Sequence, residues 1–233
     1  MALPLLIVPG LGGSHPQHWL HWLAQQLPDY QLATGIDWQQ PVLAQWAMAL
    51  REQLARSATP VWVLAHDFGC LAAVVAAADR PEKIAQLLLV APANPLRFDC
   101  MGFKPELLLL NERFCLSRAL PRYVLQVSGK LVASRNDPWL PWPEAADWAA
   151  TWGLDLLDAG KAGHLDAASG HGPWPKLLRW LRAWQRAGVA PPVTEYRNRR
   201  KGRGSALAAV RQLTREQMQS PQDHRLWQAQ RGQ

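Results

Sequence analysis

Short apolar runs alternate with stretches of helical periodicity along most of the chain. Buried strands are predicted by apolar runs at 3–8, 61–65 and 84–91, and further strands are predicted at 30–36, 130–134 and 154–157. Helices are predicted by apolar residues at helical spacing in segments 18–27, 41–57, 69–78, 143–152 and 174–186. Because buried strands that alternate with helices form parallel sheets, we predict an α/β protein with a mostly parallel sheet of five or six strands, covered by helices on both faces.

The pattern changes at about residue 188. Pro191-Pro192 is followed by the basic run R-N-R-R-K-G-R-G and by a short predicted helix over 205–219, with Ser205 as its N-cap. From residue 187 onward, nine basic side chains stand against three acidic ones, which accounts for six of the seven excess positive charges. We therefore predict a folded domain at 1–187 and a basic, disordered extension at 188–233. A solvated tail is the simpler interpretation, and contact with an acidic partner or nucleic acid is the alternative.

Composition excludes several classes of protein. The chain has 233 residues, of which 48% are hydrophobic, enough for one sizeable core. It has no apolar run long enough to span a membrane, and its N-terminus lacks the basic segment of a signal peptide. Cys70, Cys100 and Cys115 are an odd number without metal-binding spacing. We therefore expect a cytoplasmic protein without a disulfide framework, a metal site or a cofactor.

Residues 61–70, V-W-V-L-A-H-D-F-G-C, indicate a buried strand, a sharp turn and a helix of small residues. This layout is typical of a nucleophile elbow, G-x-S-x-G, in which a strained turn presents one side chain above the sheet. Asp67 occupies the position of the serine, and Ala65 that of the first glycine. A serine needs a base to become reactive, whereas an aspartate is an anion at neutral pH. The exchange therefore changes which reactions are open to the site.

Three other segments follow predicted strands. They are the glycine loop 10–14, Asn136-Asp137-Pro138, and Gly163-His164-Leu165. Because ligands of parallel α/β sheets bind at the carboxyl ends of the strands, we expect these segments to meet Asp67. A nucleophile, an acid and a histidine in this order along the chain are typical of α/β hydrolases.

These motifs resemble the small serine hydrolase family of the α/β-hydrolase superfamily, which includes the retinoblastoma-binding serine hydrolase. The matching segments are P-G-L-G-G-S at 9–14, the elbow at 65–69, R-P-E-K-I-A-Q-L-L-L-V-A-P at 80–92, A-S-R-N-D-P at 133–138 and G-H-L-D-A-A-S-G-H-G-P-W-P at 163–175. The resemblance implies an α/β-hydrolase fold with a minimal cap, and hydrolysis of a small organic substrate. It also implies His164 as the base, Asp137 as the acid that orients it, and the N–H groups of Leu11 and Phe68 as the oxyanion hole.

An aspartate at the elbow favours displacement at a saturated carbon. Its attack on an ester would form a mixed anhydride while expelling an alkoxide, and the more basic alkoxide would reverse the step. Attack on a carbon–halogen bond or an epoxide would instead form an alkyl-enzyme ester, hydrolysed by water that His164 activates. The H-D-F-G sequence also resembles the H-D-W-G elbow of haloalkane dehalogenases and epoxide hydrolases, although Phe68 lacks the indole N–H. The alternative is a degenerate hydrolase that keeps its pocket to bind a ligand or partner.

Three side chains near these strand ends are candidates for the substrate pocket: Ser14 in the glycine loop, His66 before the elbow and Trp139 after Asp137. A spacer role for Ser14 and a packing role for His66 are the simpler interpretations. Most of the thirteen tryptophans, by contrast, fall at helical spacing and are expected to pack in the core.

Overall fold

The computed structural model describes residues 4–13, 15–27, 29–104, 115–187 and 204–219. The strands are β1 (Leu5–Val8), β2 (Tyr30–Leu32), β3 (Val61–Asp67), β4 (Ile84–Pro92), β5 (Phe98–Asp99), β6 (Gly102–Phe103), β7 (Gly129–Ala133) and β8 (Asp155–Asp158). Six of them form one sheet in the order β2-β1-β3-β4-β7-β8, in which every neighbouring pair is parallel. The predicted fold class is therefore confirmed.

Helices cover both faces of this sheet. They are α1 (Trp19–Gln25), α2 (Leu43–Arg56), α3 (Phe68–Asp79), α4 (Trp142–Trp152), α5 (Pro175–Ala187) and α6 (Ala206–Met218). The core on one face contains buried residues of α2, α3, α4 and α6, and the core on the other contains those of α1 and α5. Because both faces are covered, the central strand β3 is buried over six successive residues. Polar side chains are therefore concentrated at the strand ends.

The excursion that follows β4, over residues 93–121, is described in part. They contain 3₁₀ turns at Pro95–Arg97 and Leu116–Arg118. Between these turns, β5 and β6 form a short antiparallel hairpin. The first turn begins with Asn94, whose side chain accepts a hydrogen bond from the Leu96 N–H at 2.9 Å. The excursion thus begins with a fixed turn directly after β4.

The C-terminal part differs from the prediction of a disordered extension at 188–233. Helix α6 packs against α2 and α3 and buries Ala206, Leu207, Val210, Leu213 and Gln217. The predicted N-cap is confirmed, since the Ser205 hydroxyl accepts a hydrogen bond from the Ala208 N–H at 3.2 Å. The prediction of disorder was wrong for this segment because a narrow stripe with only two leucines and one valine is sufficient against the small-residue surface of α3.

The remaining residues of the predicted extension, 188–203 and 220–233, lie outside the described residues. The domain boundary after residue 187 and the acidic or nucleic-acid partner therefore stay predictions. Over the described ranges, no helix is both long and apolar enough to cross a membrane.

Candidate active site

The turn between β3 and α3 holds Asp67 in a strained backbone conformation, with φ +50° and ψ −126°. A side chain in place of Gly10 would put its Cβ 2.6 Å from the Cβ of Asp67. A Cβ at Gly69 would lie 2.4 Å from the carbonyl oxygen of Pro9. Both glycines are therefore required by close approach, and together they seat the elbow directly against the loop that follows β1.

The Asp67 carboxylate has one partner for each oxygen. Its Oδ2 accepts a hydrogen bond from the Leu11 N–H at 2.9 Å, and its Oδ1 lies 3.3 Å from His164 Nε2. The side chain is 19% exposed, which leaves it accessible from the cavity above the sheet. Burial raises the pKa of Asp67, but the hydrogen bond to His164 and the nearby histidines outweigh it and hold the pKa below its usual value. Asp67 is therefore an anion at neutral pH.

His164 lies between Asp67 and the second predicted carboxylate. Its Nδ1 is 3.0 and 3.1 Å from the two carboxylate oxygens of Asp137. Asp137 Oδ1 also accepts the Trp139 N–H at 2.8 Å, which fixes the carboxylate in place. Burial lowers the pKa of His164, but the hydrogen bonds and charges of the two aspartates raise it more, to about 9. At neutral pH His164 is therefore an imidazolium between two carboxylates.

The loop that carries His164 is tied down by hydrogen bonds from neighbouring segments. The Gly163 N–H donates to Asn136 Oδ1 at 2.9 Å, and the His164 N–H donates to the Ser169 hydroxyl at 3.0 Å. The Ser169 N–H in turn donates to Asp166 Oδ1 at 2.7 Å. Asn136, Asp166 and Ser169 had no predicted role, although all three lie within the segments that carried the family resemblance.

Two further buried histidines lie beside the Asp67–His164–Asp137 group, and both are uncharged. His66 Nε2 donates to the carbonyl oxygen of His164 at 3.1 Å, and the His18 ring packs edge-on against His66 at 4.8 Å. Burial, with the repulsion of neighbouring histidines, lowers the pKa of His66 to about 4 and that of His18 to about 3. Both rings are therefore neutral at pH 7, where His164 carries the charge. His66 has the packing role as well as a place on the cavity wall.

Two cavities meet at Asp67 and His164. The larger, of about 460 Å³, is lined by glycine-loop residues together with His15, Gln17, His18, His66 and Asp166–Ala168. The smaller, of about 190 Å³, has aromatic and polar walls formed by Asn94, Arg97, Phe98, Phe103 and Trp139. Of the predicted pocket residues, His66 and Trp139 line a cavity, and Ser14 lies outside the described residues.

Four residues that line the smaller cavity were not predicted from the sequence: Asn94, Arg97, Phe98 and Phe103. Only their position could have indicated these residues, since the segment directly follows β4 at the carboxyl end of the sheet.

Cys70, near the elbow, donates from its thiol to the Val90 carbonyl at 3.5 Å and is buried. Burial raises its pKa well above the usual value, so the thiol is not a nucleophile at neutral pH. In the part of the chain that the structure describes, no group of three or more His, Cys, Asp or Glu side chains could hold a metal ion.

Comparison with known proteins identifies the family. The serine hydrolase family matches residues 5–183. A YdeN-like hydrolase of Pectobacterium atrosepticum is similar in structure, with 32% sequence identity and a TM-score of 0.68 over 81% of this chain and 94% of that one. No curated protein sequence matches the chain.

More distant structures share the fold. The ydeN gene product of Bacillus subtilis is 16% identical, with a TM-score of 0.59 over 80% of this chain and 100% of that one. Est1E of Butyrivibrio proteoclasticus, solved with ferulic acid bound, is 14% identical, with a TM-score of 0.56 over 80% and 91% of the two chains. With the family match over most of its length and a close structural relative, this chain belongs to the serine hydrolase family and is a hydrolase with the α/β-hydrolase fold.

Proposed function

We propose that this hydrolase uses Asp67 as a nucleophile against a saturated carbon that carries a leaving group. One observation carries the proposal. The carboxylate lies on the strained elbow with Oδ2 held by the Leu11 N–H and Oδ1 beside His164, and the side chain, which is 19% exposed, borders both cavities. An anion held in this way needs no base to attack, and the displaced group need only be a stable anion such as a halide.

In the first step, Asp67 Oδ1 forms a bond to the substrate carbon while the carbon–halogen bond breaks, and the halide leaves with the electron pair. The product is an alkyl ester of Asp67. Oδ2 becomes the carbonyl oxygen of this ester and keeps the hydrogen bond from the Leu11 N–H. The same N–H therefore polarises the carbonyl for the step that follows.

Alkylation also changes the charge state of His164. The charge and hydrogen bond of Asp67 are among the causes that raise the pKa of His164 to about 9. An ester at Asp67 carries no charge, so the pKa of His164 falls and the neutral imidazole becomes more populated. His164 thus becomes a better base once the nucleophile has been consumed, with Asp137 still fixing its orientation.

In the second step, water attacks the ester carbonyl carbon and gives a proton to His164 Nε2. The negative charge develops on Oδ2, where the N–H groups of Leu11 and Phe68 form the proposed oxyanion hole. The tetrahedral intermediate then breaks its bond to the alkyl oxygen, and His164 returns the proton to the departing alcohol. Asp67 is regenerated with one oxygen from water, and the alcohol carries one former oxygen of Asp67.

The alternative is a degenerate hydrolase that binds a ligand or partner without turnover. The observation in its favour is the charge of His164, since an imidazolium between two carboxylates cannot accept a proton at neutral pH. The two functions differ in whether Asp67 forms a covalent bond.

The deciding experiment is single turnover of short haloalkanes and haloalkanoates in H₂¹⁸O, with excess enzyme. We expect unlabelled alcohol in the first turnover and ¹⁸O in the peptide that contains Asp67. Asp67→Asn serves as the isosteric control and should give neither product nor label. An active native protein that puts ¹⁸O directly into the product would contradict a nucleophilic Asp67.

The Asp67→Ser variant tests the alternative with nitrophenyl esters. If the native protein is silent on every substrate and the serine variant gains esterase activity, the surrounding machinery is intact around a disabled nucleophile. The natural protein would then be a binding protein.

A further inference from the structure

Arg97 lies at the rim of the site on a rigid piece of backbone. Its N–H donates to the Asn94 carbonyl at 3.1 Å, and its carbonyl accepts the Lys104 N–H at 3.0 Å. Its guanidinium carbon stacks 3.9 Å from the centre of the Trp139 ring, within cation–π range. The Trp139 ring lies edge-on to His164 at 6.3 Å. Arg97 is therefore held beside the reacting groups by turn geometry and by stacking.

The donors of this guanidinium have no hydrogen-bonding partner among the described residues. Stacking occupies the face of the group, and its five N–H donors point outward from the edge. Within the described part of the chain, no hydrogen bond or ion pair involves the Arg97 side chain. The charges around it, by contrast, are partnered: Asp67 and Asp137 with His164, and Asp166 with Ser169.

The cavity that Arg97 lines limits the size of any ligand that its guanidinium could bind. It encloses about 190 Å³ between Phe98, Phe103 and Trp139, and Asp67 and His164 lie on its wall. Burial lowers the pKa of Arg97 while the Asp67 charge raises it, which indicates partial desolvation near the nucleophile. A partly desolvated guanidinium binds a planar carboxylate through two parallel hydrogen bonds.

We propose that Arg97 binds the carboxylate of a short organic acid and directs its neighbouring carbon, which bears the leaving group, toward Asp67. The reaction part of this statement rests on the proposed function, whereas the carboxylate site stands on Arg97 alone. The substrate class is a short 2-halocarboxylate. Asp67 displaces the halide from the carbon next to the carboxylate, and hydrolysis of the resulting ester yields the 2-hydroxycarboxylate and a proton.

The test separates binding from chemistry. Lactate and the neutral lactamide are titrated by calorimetry into the native protein, Arg97→Gln and Arg97→Lys. We expect the native protein to prefer lactate over lactamide about 10- to 100-fold, the range of hydrogen bonds to a charged partner. Arg97→Gln should lose this preference, and Arg97→Lys should recover part of it. Arg179→Gln, which removes the same charge from the exposed surface of α5, is the matched control and should bind like the native protein.

Two outcomes would overturn the carboxylate site: equal binding of lactate and lactamide by the native protein, or an unchanged preference in Arg97→Gln. Turnover is measured beside binding, with 2-chloropropionate and the neutral 1-chloropropane. Turnover of 1-chloropropane without any preference for carboxylates would leave Asp67 as the nucleophile and overturn the role of Arg97. Arg97-dependent binding of lactate without turnover of either substrate would support the carboxylate site and contradict the proposed reaction.

Discussion

Helix α3 has an aspartate at each end, and the two side chains differ in their exposure and in their partners. Asp67 precedes its first residue and is 19% exposed to a cavity, with two hydrogen-bonding partners. Asp79 ends the helix, is 5% exposed and accepts hydrogen bonds from the Ser205 hydroxyl at 2.8 Å and the Ala206 N–H at 2.6 Å. It also accepts a hydrogen bond from the Leu207 N–H at 3.2 Å and forms an ion pair with Arg51 at 3.5 Å.

The helix dipole also acts in opposite directions on the two carboxylates. A negative charge is favoured at the N-terminus of a helix, where Asp67 lies, and disfavoured at the C-terminus, where Asp79 lies. Asp79 is stabilised because the N-terminus of α6 and Arg51 surround it, and its side chain stays almost fully buried although the residue borders a cavity of about 280 Å³. An aspartate therefore holds two helices together where several partners bury it, and is accessible for chemistry where fewer partners leave it more exposed.

The largest expected effect is on activity, and it is expected at the start of α3 but not at its end. His164→Gln removes the base but leaves Asp67 anionic, so alkylation should proceed while ester hydrolysis slows about 10²- to 10⁴-fold. Mass spectrometry of the protein after incubation with 2-chloropropionate should show the added alkyl group. Asp79→Asn is the matched change at the other end and should keep native turnover. Loss of alkylation in His164→Gln would contradict the two-step assignment.

The second effect concerns stability at the α6 end. Leu213→Ala leaves a cavity in the interface between α6 and the core and should lower the free energy of unfolding by about 2–5 kcal/mol. The turnover number should not change, since the residue does not line either cavity at the elbow. Denaturant unfolding measures the loss, with Arg215→Ala on the exposed side of α6 as the control. Equal stability of Leu213→Ala and Arg215→Ala would mean that α6 does not dock in solution.

A smaller loss is expected at the cap shared by α3 and α6. Ser205→Ala removes the hydroxyl that accepts the Ala208 N–H and donates to Asp79, which should cost about 0.5–2 kcal/mol of stability. Thermal unfolding beside the exposed Gln212→Ala gives the comparison. If Ser205→Ala lowered the stability no more than Gln212→Ala, Asp79 alone would be sufficient to hydrogen-bond the N–H groups at the start of α6.

The smallest expected effect is a shift in titration. Asp67→Asn removes one of the two charges that raise the pKa of His164 to about 9, so the pKa of His164 should fall. A folded-state pKa above the unfolded value of 6.5 means that the ion pairs of His164 stabilise the protein fully below pH 6.5. This contribution is lost as the pH rises through about 9. NMR titration of the imidazole in the native protein and in Asp67→Asn checks the direction, and an unchanged pKa would remove the proposed coupling between alkylation and base activation.

Helix α6 also connects the two regions. The Gln217 amide donates to Asp99 Oδ2 at 3.0 Å, and Asp99 lies in the hairpin beside Phe98, which lines the smaller cavity. The helix lies outside residues 5–183, the segment that matches the serine hydrolase family. A segment beyond the family match therefore contacts the wall of the site.

The sequence was most informative where residue types have one physical meaning. Apolar runs identified the central strands β1, β3 and β4, because a sheet covered on both faces leaves its central strands no polar side. The positions of Asp67, Asp137 and His164 at the ends of three predicted strands placed all three at one edge, and the structure brings them within hydrogen-bonding distance. Local patterns sufficed here because topology alone carries the carboxyl ends of parallel strands to the same place.

Some features depended on contacts that no local pattern encodes. Arg97 looks like an ordinary turn residue, and only folding sets it on Trp139, 42 residues further along the chain, at the mouth of the site. The stripe on α6 was too small to predict docking, because its burial depends on the small-residue surface that α3 offers.

By itself, the sequence determined the parallel sheet, the strained elbow and the identity of the group placed on it, since these follow from hydrophobic periodicity and local backbone geometry. The tertiary structure decided the charge of His164, the free edge of Arg97 and the docking of α6. These properties depend on distances between residues far apart in the chain, because electrostatic attraction, desolvation and packing act through space.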